Sequence, residues 1–321
     1  MKLRNAFSSS LWAGLLSLSL VLAGCGEAGD ELNQDSVSDT GSDNTPGADD
    51  SEWVEPPLDT SDLGQDWDRP ATVYVPNNYT AAQEWPLVFL LHGFTATGYL
   101  QDSYLGFSKR VNERGFILVV PDGTANPASQ QFWNATEYCC DFYGQNPDDA
   151  GYLLHLIDEA KSRFNINAGK VYMTGHSNGG FMSHRMACDH ADVITGIMSL
   201  AGATFKDPNR CQNSEPVAML QVHGTEDSTI LYEGAAGYPG AEETTARWRE
   251  LNACASAQDR EDIAIDGMLT GNETEVVSSD SCNNNMTTEL WTIKGGSHIP
   301  SFNNDFADLV LDFLFRHEKV R

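Results

Sequence analysis

The ten residues Val171–Gly180 are the ones best suited to chemistry. They read Val-Tyr-Met-Thr-Gly-His-Ser-Asn-Gly-Gly, so a Gly-x-Ser-x-Gly pattern follows an apolar, strand-like run and precedes a helical pattern. On a strand-to-helix turn this pattern is typical of a nucleophile elbow, in which small flanking residues permit a sharp turn that exposes the serine hydroxyl. Ser177 is therefore the predicted nucleophile, and the alternative is an ordinary tight turn.

A serine hydroxyl is a poor nucleophile at neutral pH, so it needs a general base and a group that orients the base. After an elbow of this kind, an acid and then a histidine follow at the ends of later strands. Asp227 follows the apolar run Val217–Val222, and His298 follows Leu290–Ile293 and a glycine turn. We predict Asp227 as the acid, with Glu226 as the runner-up, and His298 as the base.

Other interpretations of these residues stay open from the sequence. Asp227 could be a turn or capping residue, and His298 could be a surface-loop histidine. His223, Asp227 and His298 could together form a metal site, although a serine nucleophile makes a metal redundant. We predict no metal and no organic cofactor.

The oxyanion that forms on nucleophilic attack needs backbone N–H donors. Asn178 follows the predicted nucleophile at the start of a helix, whose dipole favours negative charge. The second donor is expected in the loop His92-Gly93-Phe94, after the apolar run Pro86–Leu91, and is assigned to the N–H of Phe94. His92 itself is predicted to support this loop rather than to act as a base.

Short apolar runs alternate with helical patterns from residue 67 onward, which predicts a mostly parallel central sheet with helices on both faces. We expect one α/β domain over residues 67–321. The predicted strands are Thr72–Val75, Pro86–Leu91, Ile117–Val120, Lys170–Thr174, Gly196–Leu200, Val217–Val222 and Leu290–Ile293. The predicted helices are Tyr99–Arg114, Asp149–Phe164, Asn178–His190, Ala241–Asn252 and Asn303–His317.

The charge balance limits the partners. The 321 residues include 19 Lys and Arg against 46 Asp and Glu, a net charge of −27. Nucleic-acid binding depends on basic residues that neutralise phosphates, and anionic lipid attracts basic segments. We therefore exclude a nucleic-acid partner and charge-driven docking on anionic membranes.

The N-terminus predicts export. Lys2 and Arg4 precede an uncharged, leucine-rich segment, the layout of a secretory signal peptide over residues 1–25. The segment ends in Leu-Ala-Gly-Cys, which resembles the bacterial lipobox, so Cys25 is the predicted lipidation site. Gly26 weakens the case for inner-membrane retention, by resemblance to bacterial sorting signals. An uncleaved anchor or a soluble signal peptide is the alternative.

An acidic tether is predicted between the signal segment and the domain. Residues 26–66 contain 13 Asp or Glu and no Lys or Arg, with almost no apolar periodicity. Like charges extend such a segment, and it cannot bury a core. The predicted location is the bacterial outer membrane, or the outside of the cell, with the membrane reached only through the lipid on Cys25.

The cysteines agree with export. Six remain besides Cys25, and an even set in an exported protein indicates up to three disulfides. Cys254 with Cys282 is the preferred pair because both flank the same polar segment; the remaining candidates are Cys139, Cys140, Cys188 and Cys211.

Several segments together resemble the polyhydroxybutyrate depolymerase and feruloyl esterase group of α/β-hydrolases, related to carbohydrate esterase family one. The similarity covers roughly residues 70 to 317. It is carried by Pro86–Phe94, Phe132-Trp-Asn134 with Cys139-Cys140, Asp148-Asp149, Gly175–Met182 with Arg185–Cys188, His223–Asp227 and Gly295–His298. The resemblance implies the α/β-hydrolase fold and a triad of Ser177, Asp227 and His298, and it favours Asp227 over Glu226.

The chain departs from this group soon after the histidine. Members commonly have a tryptophan within the run Gly-Gly-Gly-His-Thr-Trp-Pro, whereas this chain has Ser297-His298-Ile299-Pro300-Ser301. The acyl pocket therefore lacks that aromatic wall. Trp133 and Phe94 are the substrate-pocket candidates that could replace it, and the alternative for both is a place in the core.

These features predict a secreted, lipid-tethered serine esterase with an open cleft for a polymeric or oligomeric ester. Hydroxybutyrate oligomers and feruloyl or other acyl esters on polysaccharide are the expected substrates. One alternative is a serine peptidase on the same fold, and another is an inactive lipoprotein that binds a polymer or glycan.

Lipidation at Cys25 can be tested directly. In a bacterial host fed radiolabelled palmitate, the wild-type chain is expected to take up label and a Cys25→Ala variant to take up none, because the acyl chain attaches to that thiol. Equal labelling of the two chains, or no labelling of either, would contradict the prediction.

Overall fold

The computed structural model describes residues 58–212 and 215–321. The strands are β1 (Thr72–Tyr74), β2 (Trp85–Leu91), β3 (Ile117–Val120), β4 (Thr124–Ala125), β5 (Gln131–Phe132), β6 (Ile166–His176), β7 (Gly196–Leu200), β8 (Ala218–Gly224), β9 (Gly234–Ala235), β10 (Tyr238–Pro239), β11 (Gln258–Asp259), β12 (Thr274–Ser279) and β13 (Thr288–Ile293). The helices are α1 (Gly98–Leu105), α2 (Val111–Arg114), α3 (Asp149–Arg163), α4 (Asn178–Asp189), α5 (Ala241–Leu251) and α6 (Phe306–Phe315).

Nine strands form one sheet in the order β1-β3-β2-β6-β7-β8-β13-β12-β11. The six strands from β3 to β13 in this order pair in parallel, while β1, β12 and β11 join antiparallel at the two edges. The strands β4 with β5 and β9 with β10 make two small hairpins outside it. Since the central strands run the same way, their carboxyl ends meet at one edge, and this edge carries the predicted chemistry.

Helices cover both faces of the sheet. Leu87, Phe89 and Leu91 of β2 pack in the cluster that includes α3, α4 and α5, while Val88 and Leu90 pack in the cluster with α6. Successive side chains of a strand point to opposite faces, so a continuously apolar strand is buried on both sides. The structure thus confirms the predicted α/β fold with a mostly parallel sheet and helices on both faces.

All seven predicted strands are present, and the predicted helix Tyr99–Arg114 is wrong. The chain forms α1, a 3-10 turn at Ser108–Arg110 and then the short α2. Gly106 ends α1 in the left-handed region at φ 71°, a conformation that glycine adopts without the steric cost of a Cβ. The sequence patterns also did not predict β12, which lies between β13 and the edge strand β11 and whose residues Thr-Glu-Val-Val-Ser-Ser are largely polar.

The folded unit begins before the predicted boundary at residue 67. Leu63 is fully buried and pairs with Ala71, and the N–H of Gly64 donates to Glu159 on α3 at 2.7 Å. Residues 58–66 are therefore part of the domain rather than of the tether. The predicted signal peptide, Cys25 and the tether up to residue 57 lie outside the described residues.

The six described cysteines form three disulfides. Cys254 is bonded to Cys282, as preferred from the sequence, Cys188 to Cys211, and Cys139 to its neighbour Cys140. In the part of the chain that the structure describes, no helix is long and apolar enough to cross a membrane.

The bond Cys254–Cys282 closes a loop of 28 residues. Replacing both cysteines by serine is expected to lower the free energy of unfolding by about 3 kcal/mol, because the unfolded chain regains the entropy that the closed loop removes. Urea unfolding of the two proteins under non-reducing conditions measures the difference. Equal free energies of unfolding for the two proteins would contradict a stabilising role of this disulfide.

Candidate active site

Ser177 lies at a sharp turn between β6 and α4. Its backbone has φ 53° and ψ −117°, a positive φ that non-glycine residues seldom adopt and that is typical of strained functional positions. A Cβ on Gly175 would come within 2.4 Å of Gly179, and a Cβ on Gly179 within 2.2 Å of the carbonyl oxygen of Leu91. The two glycines of the motif are thus required because the chain passes too close for any side chain.

Asp227 and His298 meet beyond the ends of β8 and β13. These strands are parallel neighbours, and their following loops are joined by the N–H of Glu226 donating to the carbonyl of Gly296 at 2.9 Å. The Nδ1 of His298 lies 2.7 Å from Oδ2 of Asp227. Glu226, the runner-up, is exposed. The geometry therefore pairs His298 with Asp227.

The carboxylate of Asp227 is fully buried and surrounded by donors. Its Oδ1 accepts from the N–H groups of Thr229 and Ile230 at 2.8 and 2.9 Å, while Oδ2 faces His298 and Nε2 of His223, the latter at 3.2 Å. Burial by itself raises the pKa of a carboxyl, but the hydrogen bonds from His223, His298 and Ile230 outweigh it. The pKa of Asp227 therefore lies well below its ordinary value, and the group is ionised.

Ser177 and His298 line one cavity of about 530 Å³. The imidazole of His298 is 16% exposed, whereas Asp227 behind it is sealed from solvent. The other residues of the wall are mostly apolar or uncharged: Gly93, Phe94, Thr95, Ala96, Leu100, Gln101, Tyr104, His176, Thr229 and Ile299.

His176, the residue before Ser177, holds the loop of His298. Its Nε2 lies 2.9 Å from the main-chain carbonyl oxygen of His298, to which it donates, and the two rings are 4.8 Å apart. Burial, together with the neighbouring His298, lowers the pKa of His176 to about 4, so it is neutral at neutral pH. Tyr104 packs edge-on against His176 and donates its hydroxyl to the carbonyl of Pro300 at 2.7 Å. Two side chains thus clamp the main chain that carries the predicted base.

The loop after β2 is held from both sides. The N–H of Gly93 donates to Oε1 of Gln101, and the N–H of Thr95 donates to the carbonyl of Gln131. His92 is fully buried; the N–H of Gly123 donates to its Nε2, and its Nδ1 donates to the carbonyl of Gly93. Burial lowers the pKa of His92, which keeps it neutral. His92 therefore supports the loop, as the sequence predicted.

Trp133 lies in the core and does not line the cavity. It is fully buried, and its indole N–H donates to the carbonyl of His92 at 3.1 Å. Its backbone N–H and carbonyl bond the side-chain amide of Asn178 at 2.7 and 2.8 Å. Of the two aromatic candidates, only Phe94 reaches the cavity, and the role of Trp133 is to fix the first residue of α4.

His223 faces oxygen atoms rather than an open coordination position. Its Nε2 lies 2.8 Å from the carbonyl oxygen of Ile230 as well as 3.2 Å from Asp227. Both neighbours accept hydrogen bonds, so this nitrogen carries a proton and donates. A metal needs the unprotonated nitrogen, and the arrangement therefore disfavours the metal site that the sequence left open.

Three residues, His176, Gln101 and Tyr104, make contacts in the site that the sequence did not predict. His176 occupies a variable position of the Gly-x-Ser-x-Gly motif, so its type is not set by the motif. Its position directly before Ser177 was the one sequence feature that could have indicated a role in the site. Gln101 and Tyr104 fell inside the predicted helix, where nothing in their spacing separates a cavity wall from a solvated face.

Comparison with known proteins places the chain in a family. The model of the family Esterase, described as "Putative esterase", matches residues 64–289. The chain belongs to this esterase family. The match includes Ser177 and Asp227 and ends before His298.

Curated relatives are similar over part of their length. Feruloyl esterase B of Piromyces equi is 26% identical over 242 residues, which cover 72% of this chain and 42% of that protein. Feruloyl esterase D of Neurospora crassa is 25% identical, with 73% and 74% covered. Poly(3-hydroxyalkanoate) depolymerase C of Paucimonas lemoignei is 29% identical over 169 residues, with 51% and 39% covered. The chain spans less than half the length of the first and the third of these relatives.

Solved structures share the fold. An acetyl xylan esterase from Aspergillus awamori superposes with a TM-score of 0.58 at 14% identity, covering 80% of this chain and 97% of that one. The domain of this esterase is therefore an α/β-hydrolase fold.

The buried, neutral His176 predicts a loss of stability in acid. A histidine whose pKa is depressed in the folded state stabilises the fold above its unfolded pKa, and this stability is lost as pH falls toward the folded pKa of about 4. Between pH 7 and pH 4.5, a His176→Gln variant is expected to lose about 2 kcal/mol less stability than the wild type, because glutamine keeps a donor but cannot take up a proton.

Urea unfolding at the two pH values measures this difference. The same substitution at the partly exposed His190 is the matched control. A His176→Gln variant with the pH dependence of the wild type would show that His176 is not held neutral.

Proposed function

We propose that this esterase hydrolyses carboxylic esters through a triad of Ser177, His298 and Asp227. One observation carries the proposal: the imidazole bonded to the buried Asp227 carboxylate lines the same cavity as a serine held on a strained elbow. A nucleophile, a base and a group that orients the base are the parts that acyl transfer from an ester requires.

The reaction follows from these positions. Ser177 Oγ attacks the ester carbonyl while Nε2 of His298 takes its proton, and the Nδ1–H bond to Asp227 stabilises the imidazolium. The tetrahedral intermediate collapses, the alcohol leaves with the proton from His298, and an acyl-enzyme on Ser177 remains. Water attacks this acyl group, gives its proton to His298, and the carboxylic acid departs as the proton returns to Ser177.

The oxyanion is assigned to the N–H groups of Phe94 and Asn178. The neighbouring amides of Gly93 and Thr95 are already bonded to Gln101 and Gln131, and Phe94 lines the cavity. Asn178 is the first residue of α4, and the first N–H groups of a helix have no partner within it. Two donors of this kind stabilise the charge that develops on the carbonyl oxygen.

The cavity favours an accessible ester with an apolar acyl group. Leu100 and Ile299 line the cavity and remain 54% and 60% exposed, so apolar surface continues from the cavity to solvent. Ile299 belongs to the short stretch after His298 in which the resembling esterases commonly have a tryptophan. This exposed apolar surface supports a substrate whose ester is part of an oligomer or polymer. Relatives described as a feruloyl esterase and as a poly(3-hydroxyalkanoate) depolymerase support the same substrate class.

Export is part of the same proposal. Three disulfides fit an oxidising compartment outside the cytoplasm. A substrate of polymer size requires an enzyme on the outside, and a lipid on Cys25 followed by an acidic tether would hold the domain near the outer membrane.

The proposal is tested by Ser177→Ala on p-nitrophenyl butyrate. Removing the nucleophile is expected to lower kcat by at least about 10⁴-fold, and a fluorophosphonate is expected to label the wild type and not the variant. Ser162→Ala, on the exposed side of α3, is the matched control. An active Ser177→Ala protein would refute the triad, and a wild type that takes up no label would favour a binding protein over an enzyme.

The same pair of proteins decides the acyl class. A panel of hydroxybutyrate oligomers, feruloylated sugars, acetylated xylan and short-chain nitrophenyl esters ranks the substrates by kcat/KM, with Ser177→Ala as the background. Preference for acetylated xylan would move the assignment to carbohydrate deacetylation, and turnover of hydroxybutyrate oligomers alone would support polyester degradation.

A further inference from the structure

We propose that His223 is a positioning residue for Asp227, held in a single tautomer by a chain of buried side chains that begins at Trp248. The inference rests on the proposed triad and adds a second imidazole to it. The chain runs from Trp248 on α5 through His184 on α4 to Gln221 and His223 on β8, and ends at the Asp227 carboxylate.

The contacts of this chain are continuous. Trp248 Nε1 lies 2.9 Å from His184 Nδ1, and His184 Nε2 lies 3.1 Å from Gln221 Oε1. Gln221 Nε2 lies 3.3 Å from His223 Nδ1, and His223 Nε2 lies 3.2 Å from Asp227 Oδ2. His298 Nδ1 bonds that same oxygen at 2.7 Å. Four hydrogen bonds and the 3.2 Å contact between His223 and Asp227 therefore link α5 to the predicted base.

Fixed donors and acceptors along the chain determine where every proton lies. The indole N–H of Trp248 only donates, so Nδ1 of His184 accepts and its Nε2 donates to Gln221. The carbonyl of Gly202, 2.9 Å from Gln221 Nε2, only accepts, so this atom is the amide nitrogen. It donates onward to His223 Nδ1, which leaves the proton of His223 on Nε2.

The contacts of His223 at Asp227 require the same tautomer, on separate evidence. Nε2 of His223 faces two acceptors, the carbonyl of Ile230 at 2.8 Å and the Asp227 carboxylate. Only a protonated Nε2 satisfies both. The tautomer deduced from Trp248 and the tautomer required at Asp227 are therefore the same, which an unrelated set of core contacts would not guarantee.

Burial of these side chains makes each hydrogen bond between them costly to lose. Trp248, His184 and Gln221 are completely buried, and His223 is 1% exposed, so water cannot replace a lost partner and an unmade bond costs its full desolvation penalty. Burial also lowers the pKa of His184 to about 4, which keeps this relay residue neutral. Gln221 and His223 are two residues apart on β8, so both point to the face that α4 and α5 cover.

The consequence concerns the charge on Oδ2 of Asp227. This oxygen faces two imidazole N–H groups, so each interacts with only part of its negative charge. The contact with His223 also fixes the position of Oδ2, and thereby the direction of the hydrogen bond from Nδ1 of His298. Removing the donor from His223 leaves more of the charge for His298. That strengthens the attraction between the Asp227 carboxylate and the imidazolium form of His298.

Other titratable groups near the two rings do not obscure this effect. His176, 4.8 Å from the His298 ring, has its pKa lowered to about 4, and Tyr232, 5.7 Å from the His223 ring, has its pKa raised to about 12 by burial. Neither changes its charge between pH 5 and pH 9, so neither produces the acid limb of kcat/KM in this range.

The test compares His223→Phe with His223→Gln. Phenylalanine keeps a ring and removes the donor; glutamine reaches about as far and keeps an N–H for Asp227. For His223→Phe we expect kcat to fall about tenfold with KM nearly unchanged, and the acid limb of kcat/KM to move up by about half a pH unit. His223→Gln is expected to restore most of kcat and to return the acid limb toward that of the wild type.

Gln221→Met and Trp248→Phe extend the test if His223→Phe does not fold. Each leaves His223 in place but removes a link behind it, so a smaller shift of the acid limb in the same direction is expected. Thr245→Ala, equally buried on α5 and bonded only to its own helix at Ala241, is the matched control. It is expected to leave the acid limb unchanged even where it lowers stability.

The outcomes separate this inference from the proposed function. Ser177→Ala measured in parallel decides the triad. If Ser177→Ala is inactive and His223→Phe retains the kcat and the pH profile of the wild type, the positioning role is wrong and the triad stands. A shift of the acid limb in Thr245→Ala equal to that in His223→Phe would also overturn the role, because the shift would then reflect general loosening of the core.

Discussion

The buried carboxylate of Asp227 is the constraint on which the site depends. An ionised carboxyl is costly to remove from water unless hydrogen bonds replace its hydration. Here two amides from its own loop and two imidazoles, of His223 and His298, supply those bonds. They can converge on one side chain only because β8 and β13 are parallel neighbours whose loops are joined beyond the sheet. The order of strands in the sheet therefore determines the orientation of the predicted base.

The elbow imposes a second, steric constraint that meets the first at the same edge. The backbone at Ser177 turns so sharply that Gly175, Gly179 and the end of β2 at Leu91 are in van der Waals contact. This contact brings the loop that carries Phe94 next to the start of α4. The last residue of β6, His176, then reaches the carbonyl of His298. The two constraints are linked by this hydrogen bond, and the serine and the imidazole line one cavity.

The sequence predicted what short patterns and chain order encode. The sheet, the elbow and the assignment of Asp227 and His298 follow from apolar runs, a glycine-flanked serine and the order of strands. The break at Gly106 was missed because a single glycine within a helical pattern does not tell whether the helix continues through it. The partners of His223 were missed for another reason: Trp248 and His184 lie far from it in sequence, and their convergence depends on how α4 and α5 cross β8. Tertiary packing of this kind produces no recognisable pattern in the local sequence.

A crystal structure of the protein inactivated by a p-nitrophenyl alkylphosphonate tests the central claim most directly. The account predicts phosphorus bonded to Ser177 Oγ, the phosphonyl oxygen within hydrogen-bond distance of the amides of Phe94 and Asn178, and the imidazole of His298 directed at the adduct while it remains bonded to Asp227. A phosphonate attached elsewhere, or an adduct at Ser177 with the imidazole of His298 turned away from it and separated from Asp227, would contradict the account.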